Sequence, residues 1–132
     1  MKKALLYCDG ACSGNPGHSG VGALIIIDGR EFRLSEYIGI ATNNIAEYTA
    51  LIKGLLVALK HGATSVDIRT DSELLVKQIK GMYRVKSENL TALHSRVTTL
   101  LKSFDDYRLT HIPRQMNTEA DSLARDAIKK RQ

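Results

Sequence analysis

Apolar residues fall into short runs whose spacing changes along the chain, and that spacing divides it into elements. Residues 3–9 and 21–27 read as strands. The second, Val21-Gly22-Ala23-Leu24-Ile25-Ile26-Ile27, is nearly unbroken and fits a strand buried on both faces. Asp28-Gly29 tolerates the positive φ of a type I′ turn, so residues 31–39 return antiparallel and the chain opens as a three-stranded meander. From Ile45, apolar Tyr48, Leu51, Ile52, Leu55, Leu56 and Leu59 recur at helical spacing until His61-Gly62 supplies a stop. A strand over 65–70 and a short helix over 72–80, ended by Gly81, follow. The stripe Leu90, Leu93, Val97, Leu100, Leu101 and Phe104 predicts a helix over 88–104, and 107–112 reads as a last strand. A closing helix, about Thr118 to Lys130, presents Ala120, Leu123, Ala124 and Ala127 as its apolar face. Helical crossovers make the later strands parallel, so the order β-β-β-α-β-α-α-β-α predicts an α/β fold: a mixed five-stranded sheet with helices on both faces.

The 132 residues suit one domain, 1–132, with a hydrophobic core that needs no disulfide. A net charge of +5 and a pI near 9.3 favour a polyanionic partner without specifying one. Cys8 and Cys12 are the only cysteines; they cannot complete a cysteine zinc site, and so sparse a pair points to a reducing, cytoplasmic setting. The apolar run after Met1-Lys2-Lys3 ends at Asp9, too soon for a signal peptide. Nothing approaches the roughly 20 apolar residues of a membrane span. The expectation is a monomer with no membrane and no obligate protein partner.

Four carboxylates stand where elements meet. Asp9 closes the first strand and opens the turn-like Gly10-Ala11-Cys12-Ser13-Gly14-Asn15-Pro16-Gly17; Glu47 follows Thr42-Asn43-Asn44-Ile45-Ala46; Asp71 closes the strand ending in Thr70; Asp121 lies in Asn117-Thr118-Glu119-Ala120-Asp121. Each has a local explanation. Glu47 completes a capping-box pattern begun at Asn44, Asp71 and Asp121 fit helix starts, and Asp9 fits a turn. A metal site explains all four at once, and explains why Asp9 and Asp71 end strands expected to be neighbours. Such a concentration of negative charge could hold two Mg²⁺ ions about 3.5–4 Å apart, which can activate water and stabilise the departing oxygen of a phosphodiester. Mg²⁺ takes oxygen ligands and keeps waters, so a few carboxylates and a substrate phosphate suffice.

Taken in order, Asp-Gly-x-Cys-x-Gly-Asn-Pro-Gly, Thr-Asn-Asn-x-x-Glu, Thr-Asp-Ser and Asn-x-x-Ala-Asp-x-Leu-Ala resemble the type 1 ribonuclease H family, in a short form without its basic protrusion. The resemblance covers essentially the whole chain. It implies a ribonuclease H-like fold and a metal-dependent endonuclease that cuts the RNA strand of RNA/DNA hybrids to leave a 5′-phosphate. It implies that Asp9 bridges two Mg²⁺ ions, with Mn²⁺ as a substitute, that Glu47 and Asp71 bind the ion near the attacking water, and that Asp121 completes the second site. It also assigns RNA 2′-hydroxyl contacts to Gly10, Ala11 and Cys12 and to Asn43 and Asn44, and places Asn15 and Thr42 nearer the DNA strand. Turn and cap chemistry explains the same amides. In the loop before Asp121, counting without gaps selects His111, whereas the short-loop branch of the family places Arg114 there, in a phosphate-positioning or charge-stabilising role; Arg114 is preferred. Arg is no general base at neutral pH.

Several positions depart from the family pattern. Gly81 to Ser87 leaves no room for the protrusion, for which Lys77, Lys80, Arg84 and Lys86 are a modest substitute. Ile40 stands where some members carry a basic residue, Glu73 where Gln is common, and Tyr83 is the nearest replacement for an absent Trp. Two alternatives remain: a related nuclease preferring duplex RNA or hybrid junctions, and a catalytically weak nucleic-acid-binding module of the same fold.

Overall fold

In a computed structural model, which describes residues 2–131, the opening runs pair as their alternation requires. Strands β1 (Lys3–Ser13), β2 (Gly17–Ile27) and β3 (Arg30–Ala41) form the antiparallel meander. The hairpin turn holds Asp28 at φ 52° and Gly29 at φ 77°, the two left-handed residues that a type I′ turn needs. Helix α1 (Asn43–Lys60) leads to β4 (Ser65–Thr70), α2 (Glu73–Ile79), α3 (Glu88–Leu101), β5 (Asp106–His111), a single 3₁₀ turn (Arg114–Met116) and α4 (Thr118–Lys129). The sheet order is β3-β2-β1-β4-β5, with β4 parallel to both β1 and β5.

Helix α1 crosses one face of the sheet and packs with α3, while α4 lies on the other face against β2, β1 and β3. Leu6, Ile25, Leu51, Leu55, Ile68 and Leu75 are completely or almost completely buried between sheet and helices. Each fully buried side chain of this size contributes roughly 1.5–3 kcal/mol relative to exposure. Tyr48 is buried too, and its hydroxyl donates to Gln78 Oε1 at 2.7 Å, which ties α1 to α2.

The largest departure from the sequence expectation lies in the glycine-rich stretch after Asp9. It is strand as far as Ser13, paired with β2 down to Ser13 opposite His18, and the turn is confined to Gly14–Pro16. Asp9 is therefore within β1, opposite Gly22, and does not end it. β2 accordingly starts at Gly17 rather than 21. At the other boundaries, α3 stops at Leu101 and Phe104 is buried from the turn behind it, while Leu56 lies off the buried stripe at 40% exposure.

Glycine sets how closely the helices approach. A Cβ on Gly10 would stand 2.6 Å from Glu47 N, and one on Gly22 would stand 2.5 Å from Ala124 N and closer still to the Ala120 carbonyl oxygen. Backbone packs on backbone at both positions. As a result, the start of α1 and the start of α4 are pressed against opposite faces of β1 and β2 at the level of Asp9.

Candidate active site

The parallel register runs from Lys3 opposite Ser65 to Tyr7 opposite Arg69, so Asp9 and Asp71 come level just where β4 leaves the sheet. Asp9 is 4% exposed. Neither Glu47 nor Asp71 serves as a helix cap. The α1 cap is Thr42, whose hydroxyl accepts from Ile45 N–H at 3.2 Å, and the α2 cap is Ser72, which accepts from Leu75 N–H at 3.3 Å. Glu47 instead reaches the sheet, where Oε1 accepts from Gly10 N–H at 2.7 Å. Asp121, in the first turn of α4, accepts from Arg125 at 2.8 Å.

The four carboxylates act on one another electrostatically. Burial pushes Asp9 far above the usual carboxylate range, and the negative charges of Glu47 and Asp71 and a hydrogen bond with Asp121 push the same way. Burial also raises Glu47; the Gly10 N–H opposes that rise, Asp71 adds to it, and the nearby Arg114 charge lowers it. The buried Cys8 thiol beneath them is raised as well, by burial and then by Glu47, Asp9 and Asp71. This is a pocket of negative charge that the protein's own cations do not balance.

Such a donor set suits a hard divalent cation: every ligand atom is a carboxylate oxygen. Glu47, Asp71 and Asp121 each commit one oxygen to a protein donor, which leaves the other for an ion or a proton. Among the described residues no three His, Cys, Asp or Glu side chains close as a preformed cage. Mg²⁺ does not require one, since it keeps several waters and is commonly held by one or two carboxylates together with substrate phosphate.

Beside the carboxylates, a cleft of about 370 Å³ is walled by Gly10 to Ser13 of β1, Asn43, Arg114 and the Asp121 side of α4. Arg114 thus faces the carboxylates from the 3₁₀ turn, whereas His111 ends β5 as an exposed residue opposite Thr70. The residues expected to touch nucleic acid form two linked segments. Asn43 N–H donates to Asn15 Oδ1 at 3.0 Å, and Cys12 Sγ donates to the Ala41 carbonyl at 3.1 Å, which fixes the β1–β2 turn to the start of α1. Thr42 and Asn44 are half-buried there, and Asn43 is exposed. Cys12 lies among backbone carbonyls, in a packing role. A cavity of about 390 Å³ between α3 and β5, lined by Ile79, Leu101, Phe104 and Tyr107 among others, lies apart from this chemistry.

A family model described as Reverse transcriptase-like matches residues 7–127. Ribonuclease HI of Halobacterium salinarum is 40% identical over 124 residues, covering 92% of this chain and 62% of that protein. The chain belongs to the ribonuclease H family. The crystal structure of RNase H1 from that archaeon matches with a TM-score of 0.93 and 39% identity, over 98% of this chain and 99% of the other. LC11-RNase H1, solved in complex with an RNA/DNA hybrid, matches with a TM-score of 0.89 and 36% identity, over 96% and 97%. The chain spans just under two thirds of the Halobacterium ribonuclease HI sequence, yet nearly all of the solved RNase H1 chains.

On this ribonuclease H fold one residue stands out that the sequence marks only as a helix start. Asn117 occupies the N-cap position of α4 but its side chain makes no cap bond. Its side chain turns inward, where Nδ2 donates to Asp71 Oδ1 at 2.8 Å and to the Cys8 carbonyl at 2.9 Å. It fills the gap left in the sheet where β4 departs. Asn117 is 1% exposed, and its Oδ1 is buried without a partner. A buried orphan acceptor costs about 1–3 kcal/mol, so this arrangement spends stability on holding the Asp71 carboxylate.

Proposed function

We propose that the chain hydrolyses the RNA strand of RNA/DNA hybrids as a metal-dependent endonuclease and leaves a 5′-phosphate. The observation that carries this reading is the mutually repelling group of buried Asp9 with half-buried Glu47, Asp71 and Asp121, beside a cleft whose other charged lining residues are the cations Arg114, Arg125 and Lys129. Those four residues would hold two Mg²⁺ ions, or Mn²⁺ in their place. The bound ions supply an activated water and neutralise the departing oxygen of an in-line displacement. Asp9, which interacts with both Glu47 and Asp121, would serve both ions; Asp71 is oriented by the Asn117 amide; Arg114 would hold a phosphate oxygen as a charge-assisted donor. The Gly10-Ala11-Cys12 backbone with Asn43 and Asn44 reads the RNA 2′-hydroxyls, which distinguish RNA from DNA, and Asn15 and Thr42 face the DNA strand.

This reading takes residues 1–132 as one catalytic domain acting as a monomer. No helix among the described residues is long and apolar enough to cross a membrane, and both cysteines are free, which suits a reducing compartment such as the cytoplasm. One feature favours a shifted substrate preference: Ile40, two residues before Thr42, is 63% exposed and offers no charge to a phosphate there.

The test is a panel of end-labelled RNA/DNA hybrid, duplex RNA, duplex DNA and a hybrid junction in Mg²⁺ and Mn²⁺. Cleavage confined to the RNA of the hybrid supports the proposal; preferential cleavage of duplex RNA or of the junction replaces it with the related nuclease. Asn117→Ala should weaken activity or divalent-metal binding by about 10- to 100-fold, the usual effect of removing a group that orients a ligand. Calorimetric titration with Mn²⁺ on the folded variant reads this, and unchanged affinity would show that Asp71 needs no support.

A further inference from the structure

We infer that α4 carries a phosphate-binding rail, Arg125 and Lys129, which holds the cleaved strand where it leaves the carboxylates. The inference rests on the proposed hybrid-cutting activity and adds to it the path of the substrate.

Asp121, Arg125 and Lys129 stand at i, i+4 and i+8 on α4, so they share one side of the helix, with Cα atoms about 6 Å apart at each step. Their side faces the outer part of β1 across the cleft. Among the described residues, the charged groups lining that cleft are Arg114, Asp121, Arg125 and Lys129, a net charge of +2 from three cations and one anion. The stripe begins at a carboxylate that is hydrogen-bonded with Asp9 and continues outward as two exposed cations. A strand whose scissile phosphate lies at Asp9 and whose next phosphates follow the cleft meets a cation at each turn of helix. Because the rail starts at Asp121, the strand it guides is the one being cut.

Arg125 has a second function in the free protein, where it neutralises Asp121 at 2.8 Å while its side chain stays 62% exposed. The guanidinium has five donors, so one edge can face Asp121 and another a phosphate. Ile128, half-buried in the cleft between the two cations, gives the rail an apolar floor against which a sugar can rest.

Hybrid binding should be measured by fluorescence anisotropy in EDTA, which prevents cleavage, between about 50 and 200 mM salt. The rail predicts that the slope of log affinity against log salt shrinks by about 1 for Lys129→Gln, which leaves the Asp121–Arg125 pair intact, and by about 2 for the double variant Arg125→Gln/Lys129→Gln. Affinity at low salt should fall about tenfold in the double variant, and in Mg²⁺ Lys129→Gln, which leaves Asp121 and its partner in place, should raise KM while kcat stays near its starting value. Lys129→Arg should keep the slope. Lys60→Gln, at the far end of α1, is the control. An unchanged slope in the double variant, or an equal loss from Lys60→Gln, overturns the rail while leaving hybrid cleavage standing. If the unaltered protein neither binds hybrid nor cuts it in Mg²⁺, the proposed function fails and the rail fails with it.

Discussion

Asp9→Asn is expected to raise the melting temperature of the metal-free protein at pH 8 by several degrees while reducing RNA cleavage at least about 10³-fold, a loss of about 4 kcal/mol of transition-state stabilisation. The two effects have one cause. In the folded protein burial, then Glu47 and Asp71, hold the Asp9 pKa well above its unfolded value. As pH rises past the ordinary carboxylate range, the unfolded chain releases this proton and the folded chain keeps it. The folded state then binds more protons than the unfolded state, so stability falls with rising pH until Asp9 ionises within the fold. Glu47, raised in the same direction, adds to the slope. Asparagine has no proton to lose and imposes no charge on its neighbours. Thermal melts in EDTA from about pH 5 to about pH 9 should therefore fall for the unaltered protein and flatten for Asp9→Asn. Adding Mg²⁺ at high pH should restore the unaltered protein, since ligands give up protons to a metal. Parallel curves for the two proteins would mean that the cluster carries no strain for a metal to relieve.

Gly22→Ala should be the most damaging small substitution on the sheet. The new methyl would meet the Ala120 carbonyl and Ala124 N, both backbone atoms that cannot rotate aside. Helix α4 must then lift from β2, and with it Asp121 and Asn117, which loses its hold on Asp71 and the Cys8 carbonyl. Overpacking of this kind costs about 3 kcal/mol or more, on the order of 10 °C in melting temperature. Cleavage should fall more than the loss of folded protein accounts for, because the displaced helix carries one of the four carboxylates. A variant that melts and cuts like the unaltered protein would show that α4 tolerates a looser seat.

The elements that depend on local pattern were legible in the sequence: the Asp28-Gly29 hairpin, the stripe of α1, β4 and the order of strands and helices. The continuation of β1 through Ser13 was not, because Gly, Ser and Asn there have turn composition, and only pairing with β2 makes them a strand. Gly20 and Gly22 gave a usable signal. A glycine inside an apolar strand marks a close backbone approach, here that of α4. At the site, local logic offered a cap, helix-start or turn role for every carboxylate. The fold resolves that choice by giving the caps to Thr42 and Ser72, so that Glu47 and Asp71 are free to face Asp9. Asn117 could not be read from sequence alone, since asparagine at a helix start is ordinary cap chemistry and its inward turn depends on the distant ends of β1 and β4. Arg125 and Lys129 follow Asp121 at visible four-residue spacing, but only the packing of α4 beside the outer part of β1 turns that stripe into the wall of a cleft.

The central claim is that the Asp9, Glu47, Asp71 and Asp121 cluster cuts the RNA of a hybrid with divalent metal. It is tested most directly by single-turnover cleavage of a labelled RNA/DNA hybrid by the protein and by Asp71→Asn, each in Mg²⁺ and in EDTA. The account predicts Mg²⁺-dependent cuts in the RNA strand alone, abolished in EDTA and in Asp71→Asn although the variant stays folded. Cleavage that persists in folded Asp71→Asn, or in EDTA, would contradict it.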